Sequence, residues 1–213
     1  MNKPNEIPIL TTRLLQQTSG QIFSDSASRG RYATDASIYQ TMPKAVFIPK
    51  TADDVVAAIG IAAELSVPIL ARGGGTSQCG QTTGAALVID NSPHFRKLLH
   101  LDLEEKTVEV EPGMVLDHLN QLLKPHQLWF PVDVSTSGQA TIGGMAGNNS
   151  CGSRSIQYGN MVHNVLGIDA WLADGTLAQF GKIGHAQGRA LELGNFVKTL
   201  AEKYQSEIIT HWP

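Results

Sequence analysis

The chain has 213 residues, of which 42% are hydrophobic and 16% charged, and its formal net charge is −3. That length can bury a real core, and the negative balance without any Lys/Arg run excludes an electrostatic hold on nucleic acid or an anionic membrane. Two cysteines far apart, Cys79 and Cys151, with no CxxC pair, argue against a disulfide framework and leave no zinc or iron–sulfur site to be read from these residues.

The opening MNKPNEIPIL lacks a hydrophobic signal core, and no apolar run reaches membrane-spanning length. The expectation is a cytoplasmic protein with no transmembrane segment, with peripheral membrane association left open. Residues 1–40 are polar with one amphipathic patch around Ile9–Leu15, read as a helical lead-in. PKAVFIPKT (43–51) reads as a short strand bracketed by prolines. TADDVVAAIGIAAELS (51–66) predicts a helix: Thr51 is a natural N-cap, Asp53 and Asp54 face the positive end of the dipole, and Val55, Val56, Ile59, Ala62 and Ala63 recur at helical spacing. VPIL (67–70) returns as a strand, so strand, helix and strand form a βαβ unit with parallel pairing and a right-handed crossover.

ALVID (86–90) predicts another strand, and KTVEVEPG (106–113) alternates polar and apolar residues before a Pro-Gly turn. MVLDHLNQLLKPH (114–126) predicts a helix ended by Pro125. From Pro131 to Asn164 apolar runs are scarce, and an ordered loop of that length is uncommon without a function. VLGIDAWLADGT (165–176) and LAQF (177–180) read as a hairpin, and the last thirty residues as helix.

The 21 glycines cluster at 73–84, 138–159 and 181–194. ILARGGGTSQCGQTTG (69–84) fails two familiar phosphate patterns. Gln78 stands where a dinucleotide fingerprint needs its third glycine, and Gln81 stands where a P-loop needs its lysine. What remains is a run of amides on small residues, GGGTS, able to curl into an anion-binding concavity; the alternative is a tight turn between strands. The stretch 131–160 repeats the theme with STSGQATIGG and GNNSCG. Two such loops suggest one extended polyanion held between them, because a desolvated charge needs many donors; the alternative is two unrelated surface loops.

RGGGTS after a βαβ unit, then VEPG, ATIGGMAGNNSCG, YGN and VLGIDAWLADGT, in that order, resemble the FAD-binding domain of the vanillyl-alcohol oxidase/PCMH superfamily. The nearest branch is similar to the D-2-hydroxyacid dehydrogenases (D-lactate, glycolate and D-2-hydroxyglutarate types) that fuse this domain to an FAD-linked oxidase domain and an iron–sulfur region. The resemblance implies an α+β fold of PCMH type: a small βαβ subdomain at about 41–100 and a larger mixed-sheet subdomain at about 101–213 with flanking helices.

It also implies the cofactor shell. Arg72, Gly73, Gly74, Gly75, Thr76 and Ser77 would hold the pyrophosphate by backbone amides, with Gly80 and Gln81 close behind. Thr141, Ile142, Gly143, Gly144, Ala146, Asn148 and Asn149 would take the other side, followed by Gly152. Pro131, Ser135 and Thr136 would run near the flavin ring, Tyr158 and Gly159 would shape the second loop, and Ile168 would meet the adenine through its backbone. Thr76 stands where covalently flavinylated relatives often carry histidine, so FAD is expected to be non-covalent. No metal ligand is expected: His94, His100, His118, His126, His185 and His211 show no ligand spacing and read as structural or solvent-facing, His163 reads as an ordinary turn residue, and Cys151 as a small buried thiol.

The implied activity is oxidation of a D-2-hydroxy acid to a 2-oxo acid, with electrons passing through FAD to a further acceptor. Catalytic groups, and any iron–sulfur centre, would lie in a C-terminal region absent here. Two alternatives stay open: a nucleotide-binding module of the same fold without catalysis, and a flavoenzyme acting on another alcohol or a sugar.

Overall fold

A computed structural model describes residues 6–181 and 186–212; His185 lies outside the described residues. The chain divides into two compact units, 1–164 and 165–213. The first begins with α1 (Glu6–Gln17), β1 (Gln21–Phe23), α2 (Ser26–Gly30), β2 (Ala45–Ile48), α3 (Ala52–Glu64), β3 (Ile69–Arg72) and β4 (Leu87–Asp90). The four strands make one sheet in the order β1-β2-β4-β3. β2 and β3 both run parallel to β4, and β1 is antiparallel to β2.

The expected βαβ unit is present with one correction. β2 and β3 do not pair with each other, because β4 inserts between them. β2 and β4 are buried along their whole length, which explains their unbroken runs AVFI and LVID. Phe47, Leu87 and Ile89 pack with Ala58, Ile61 and Ala62 of α3 and with Leu10 and Leu14 of α1. α3 starts as its sequence demands. The Thr51 hydroxyl accepts from the Asp54 amide at 3.2 Å, and the Asp54 carboxylate accepts from the Thr51 amide at 3.1 Å.

β5 (Leu98–Asp102) and β6 (Thr107–Val110) form an antiparallel hairpin, of which β5 has no counterpart among the expected strands. α4 (Leu116–Leu123) buries Leu116, Leu119 and Leu123. Pro125 does not end it directly; it sits in a following 3-10 turn, Lys124–His126, which closes on Gln127 in the left-handed conformation (φ 59°). The stretch expected to be one long loop contains three short helices: α5 (Ile142–Gly147), α6 (Ser155–Tyr158) and α7 (Met161–Asn164). They are too short and too glycine-rich for periodicity to reveal, and their shape comes from contacts made elsewhere in the unit.

The second unit holds the hairpin β7 (Ile168–Trp171) and β8 (Leu177–Phe180), then α8 (Gly188–Lys203) and α9 (Gln205–His211). Gly175 takes a positive φ of 80° in the connecting turn. Among the described residues no helix is long and apolar enough to cross a membrane. Cys151 is exposed, as is Cys79, which corrects the expectation of a buried thiol at 151.

Candidate cofactor site

The chemistry of the first unit gathers at the carboxyl ends of β3 and β4, where open parallel sheets commonly bind ligands. β3 stops at Arg72 and the chain enters Gly73–Ser77. Among the described residues no group accepts a hydrogen bond from the five consecutive amides of Gly73, Gly74, Gly75, Thr76 and Ser77. Five free donors in a row need an acceptor from outside the chain, water or anion. The Ser77 hydroxyl is turned to its own loop, donating to Gln81 Oε1 at 2.7 Å and accepting from the Cys79 amide at 3.2 Å.

The glycines here are required by close approach. A Cβ on Gly73 would collide with the Thr141 hydroxyl, and one on Gly74 with the Gln139 carbonyl. The two glycine-rich segments expected to flank one ligand are therefore in direct contact. Beside that contact lies a cavity of about 430 Å³, bordered by Gly73, Gly74, Gln139 and Thr141 and by Arg31, Tyr32, Asp90 and Arg96. Its size is within the range of small-molecule sites, about 300–1,000 Å³.

The second segment offers shape rather than amides. Ile142 N–H donates to Met114 O at 2.8 Å, Gly143 N–H to Pro112 O at 2.9 Å, and Gly144 N–H to Thr141 Oγ1 at 3.3 Å. Thr141 is buried and caps α5, and Gly143 lets that helix press on Pro112. Ala146 is half-buried on α5. Asn148 Nδ2 donates to Ser150 Oγ at 2.9 Å, and Asn149, in the left-handed conformation (φ 47°), accepts from the Val162 amide at 3.0 Å. Gly152 packs on Asp133, whose carboxyl is held below the ordinary range by the Ser153 hydroxyl at 2.7 Å and the Arg154 amide at 3.0 Å.

Pro131 and Thr136 are half-buried and Ser135 is exposed; the Thr136 carbonyl accepts from the amides of Gln139 and Ala140. Tyr158 meets Trp129 edge-on at 5.2 Å, and Gly159 (φ 79°) packs on the His163 ring, whose Nδ1 accepts from the Asn160 amide at 3.0 Å. His163 is thus tied into its own turn. Ile168 is exposed on β7 in the second unit. Arg72 also borders the cavity, but its guanidinium hydrogen bonds go to the chain itself. It donates to the carbonyls of Tyr32 (3.3 Å), Thr82 (3.2 Å) and Thr34 (2.9 Å).

Three groups escaped the reading from sequence. Tyr32 donates to Asp90 Oδ2 at 2.9 Å; burial first, then the Asp90 charge, pushes its pKa up to about 12, so it stays a protonated donor. Asp90 is buried and also accepts from the Ser92 amide and hydroxyl. Asp35 reaches Thr82, joining the lead-in to the first glycine loop. The pairs Tyr32–Asp90 and Asp35–Thr82 are 58 and 47 residues apart, so no local signal identifies them. His94, His100, His118, His126 and His211 are exposed, and among the described residues no group of three or more His, Cys, Asp or Glu side chains could hold a metal ion.

The sequence family described as the FAD binding domain matches residues 43–181. A D-2-hydroxyglutarate dehydrogenase of Haemophilus influenzae is 39% identical over 165 residues, 76% of this chain and 16% of that protein. The glycolate oxidase subunit GlcD of Bacillus subtilis is 35% identical over 173 residues, 79% of this chain and 37% of the relative. The chain thus spans about a sixth of the first of these relatives and about a third of the second. In solved structures, the fold matches Physcomitrella patens BBE-like 1 (TM-score 0.69, 22% identity, 83% of this chain and 38% of that one). It also matches alkyldihydroxyacetonephosphate synthase (TM-score 0.70, 18% identity, 91% of this chain and 37% of that one). At such identities the likeness speaks for the fold, which is the PCMH-type FAD-binding fold. With residues 43–181, more than half of the sequence, matched by that family, the chain belongs to the FAD binding domain family.

Proposed function

We propose that this chain is the flavin-holding part of a longer dehydrogenase that oxidises a D-2-hydroxy acid to a 2-oxo acid and passes electrons to a further acceptor. The observation that carries the cofactor half is the row of five free amides at Gly73–Ser77 against the second glycine segment. The substrate half is supported by the names of relatives at 35–39% identity, D-2-hydroxyglutarate dehydrogenase and glycolate oxidase subunit. Bound FAD supplies the two-electron acceptor that such an oxidation requires.

The residues of this chain bind and orient. The amides of 73–77 donate to the pyrophosphate oxygens, and the contacts of Gly73 with Thr141 and of Gly74 with Gln139 hold the start of the loop in place. Pro131, Ser135 and Thr136 line the approach to the flavin ring in this reading, and Ile168 the adenine end. The acid–base groups are assigned to the rest of the protein. The setting proposed is the cytoplasm, and attachment is non-covalent because Thr76 offers no histidine.

Two measurements test this. The intact protein is expected to show the two flavin absorption bands, with FAD released by acid. Under anaerobic conditions its flavin colour is expected to bleach with one of D-2-hydroxyglutarate, D-lactate or glycolate; bleaching by none of them overturns the substrate half. Thr76→Asp sets a carboxylate among the five amides at a position that already carries a side chain. It is expected to weaken FAD at least about a hundredfold with the fold retained, and wild-type affinity would remove the first loop from the site. Gly74→Asp, the obvious choice from sequence, is a poor probe, since any Cβ there strikes the Gln139 carbonyl.

A further inference from the structure

Residues 32–41 lie outside the matched region 43–181, yet they grip the first glycine loop at four points. The segment folds back on itself through the Thr34–Gln40 bridge and the Thr41 amide, which donates to Ala33 O at 2.9 Å. Arg72 spans it with one fork, donating to Tyr32 O and Thr34 O on the segment and to Thr82 O on the far side of the loop, while its guanidinium lies 5.2 Å from the Tyr32 ring. Asp35 Oδ2 accepts from the Thr82 hydroxyl at 3.0 Å and from the Thr82 amide at 3.4 Å. The Tyr39 ring covers Gly80, where a Cβ would come within 2.6 Å of it. Gly75 (φ 65°) packs directly on the Arg72 guanidinium.

These ties bear on the amides. Residues 73–84 form no regular element, and the amides of 73–77 make no hydrogen bonds among the described residues, so the loop's shape depends on contacts with other segments: Thr141 and Gln139 against Gly73 and Gly74, and residues 32–41 against Arg72, Gly80 and Thr82. An unconstrained loop would lose that shape to conformational entropy, and would have to recover it on binding. Arg72 anchors the start of the loop and Thr82 its end, both to the same short segment.

We propose that residues 32–41 are a clasp that fixes the first glycine loop in one shape with its amides unpaired, with Arg72 and Asp35 as positioning residues, so that FAD affinity depends on a segment upstream of the matched family region. The proposal rests on the reading that the amides of 73–77 take the FAD pyrophosphate. Asp35 does not border the cavity, and Arg72, which does, spends its guanidinium on the carbonyls of Tyr32, Thr34 and Thr82; both act through the loop. Lysine cannot substitute for Arg72, because one ammonium cannot reach three carbonyls while lying flat on a ring.

The test uses the intact protein and four variants, Arg72→Ala, Arg72→Lys, Asp35→Ala and Thr76→Asp. Amide hydrogen exchange is followed at Thr82 and Thr83, whose amides donate to Asp35 and to the Gly80 carbonyl, with β2 and β4 as internal reference; the unpaired amides of 73–77 exchange fast in every variant. FAD affinity is read from quenching of flavin fluorescence, and the bound pyrophosphate from its ³¹P resonances. For both Arg72 variants and Asp35→Ala the expected result is tenfold or faster exchange at Thr82 and Thr83 with β2 and β4 still protected. FAD is expected to bind at least tenfold more weakly, with shifted ³¹P resonances. Thr76→Asp is expected to lose FAD with exchange in the apoprotein unchanged. If loop exchange accelerates while affinity and ³¹P shifts stay as in the wild type, the clasp does not position the site; if exchange does not change, there is no clasp; if Arg72→Lys keeps wild-type binding, the fork is not what matters. Wild-type FAD affinity in Thr76→Asp would instead overturn the underlying reading of the loop, whatever the other variants do.

Discussion

Asp54 accepts from the Ser19 amide (2.7 Å) and hydroxyl (2.9 Å), the Lys50 amide (2.9 Å) and the Thr51 amide (3.1 Å), joining the end of α1, the end of β2 and the start of α3. Burial pushes its pKa up, but these donors outweigh it and hold the carboxyl below the ordinary range. A carboxylate depressed in the folded state adds stability that is present above its unfolded pKa and lost as pH falls through the folded one. Asp54→Ala is therefore expected to cost about 3 kcal/mol at neutral pH, since buried amides lose their acceptor. Its stability is expected to fall less steeply than the wild type's in acid, as measured by urea unfolding across pH. Thr51 and Asp54 were legible as a helix start; the Ser19 half of the network was not, because it closes across 35 residues.

At the level of elements, α3 and the buried strands owe their positions to burial. Ile61 is 2% exposed between the sheet and α1. Ile61→Ala is expected to destabilise the first unit by about 3 kcal/mol through lost transfer energy and a residual cavity, visible as a lower urea midpoint with unchanged slope. Unbroken apolar runs made β2 and β4 easy to read, but strand order was not written in them. β4 is later in sequence yet lies between β2 and β3, an interior position in which its LVID run is buried throughout. β5 is hard to see in the sequence because LLHLD buries none of its residues and shows no clean alternation. The short helices α5 to α7 lie below the length at which periodicity is informative.

For the molecule as a whole, apolar burial is uneven. The clusters around Phe47 and around Met114 lie within the first unit, whereas the described residues of the second bury only Ala178 and Ala190 and expose Leu191, Phe196, Val197, Ile209 and Trp212. Local opening is easiest where burial is least. Amides of β7, β8 and α8 are therefore expected to exchange about a hundredfold faster than those of β2 and β4 in the chain 1–213; equal protection would show that the second unit draws stability from a source other than its own burial.

The sequence by itself determined the local choices. A capped helix at 51–64, apolar strands at 45–48 and 87–90, a hairpin at 168–180 and two glycine segments too rich for ordinary turns follow from propensity, pattern and backbone freedom among near neighbours. The ordered motifs carried the family, and with it the cofactor. Tertiary structure alone decided which glycine meets which residue, that the second segment spends amides on Met114 and Pro112, and that Arg72 turns to Tyr32 and Thr34. These contacts join residues far apart in the chain, where no periodic signal survives, and their partners are chosen by how α3, the sheet and the loops fill space together.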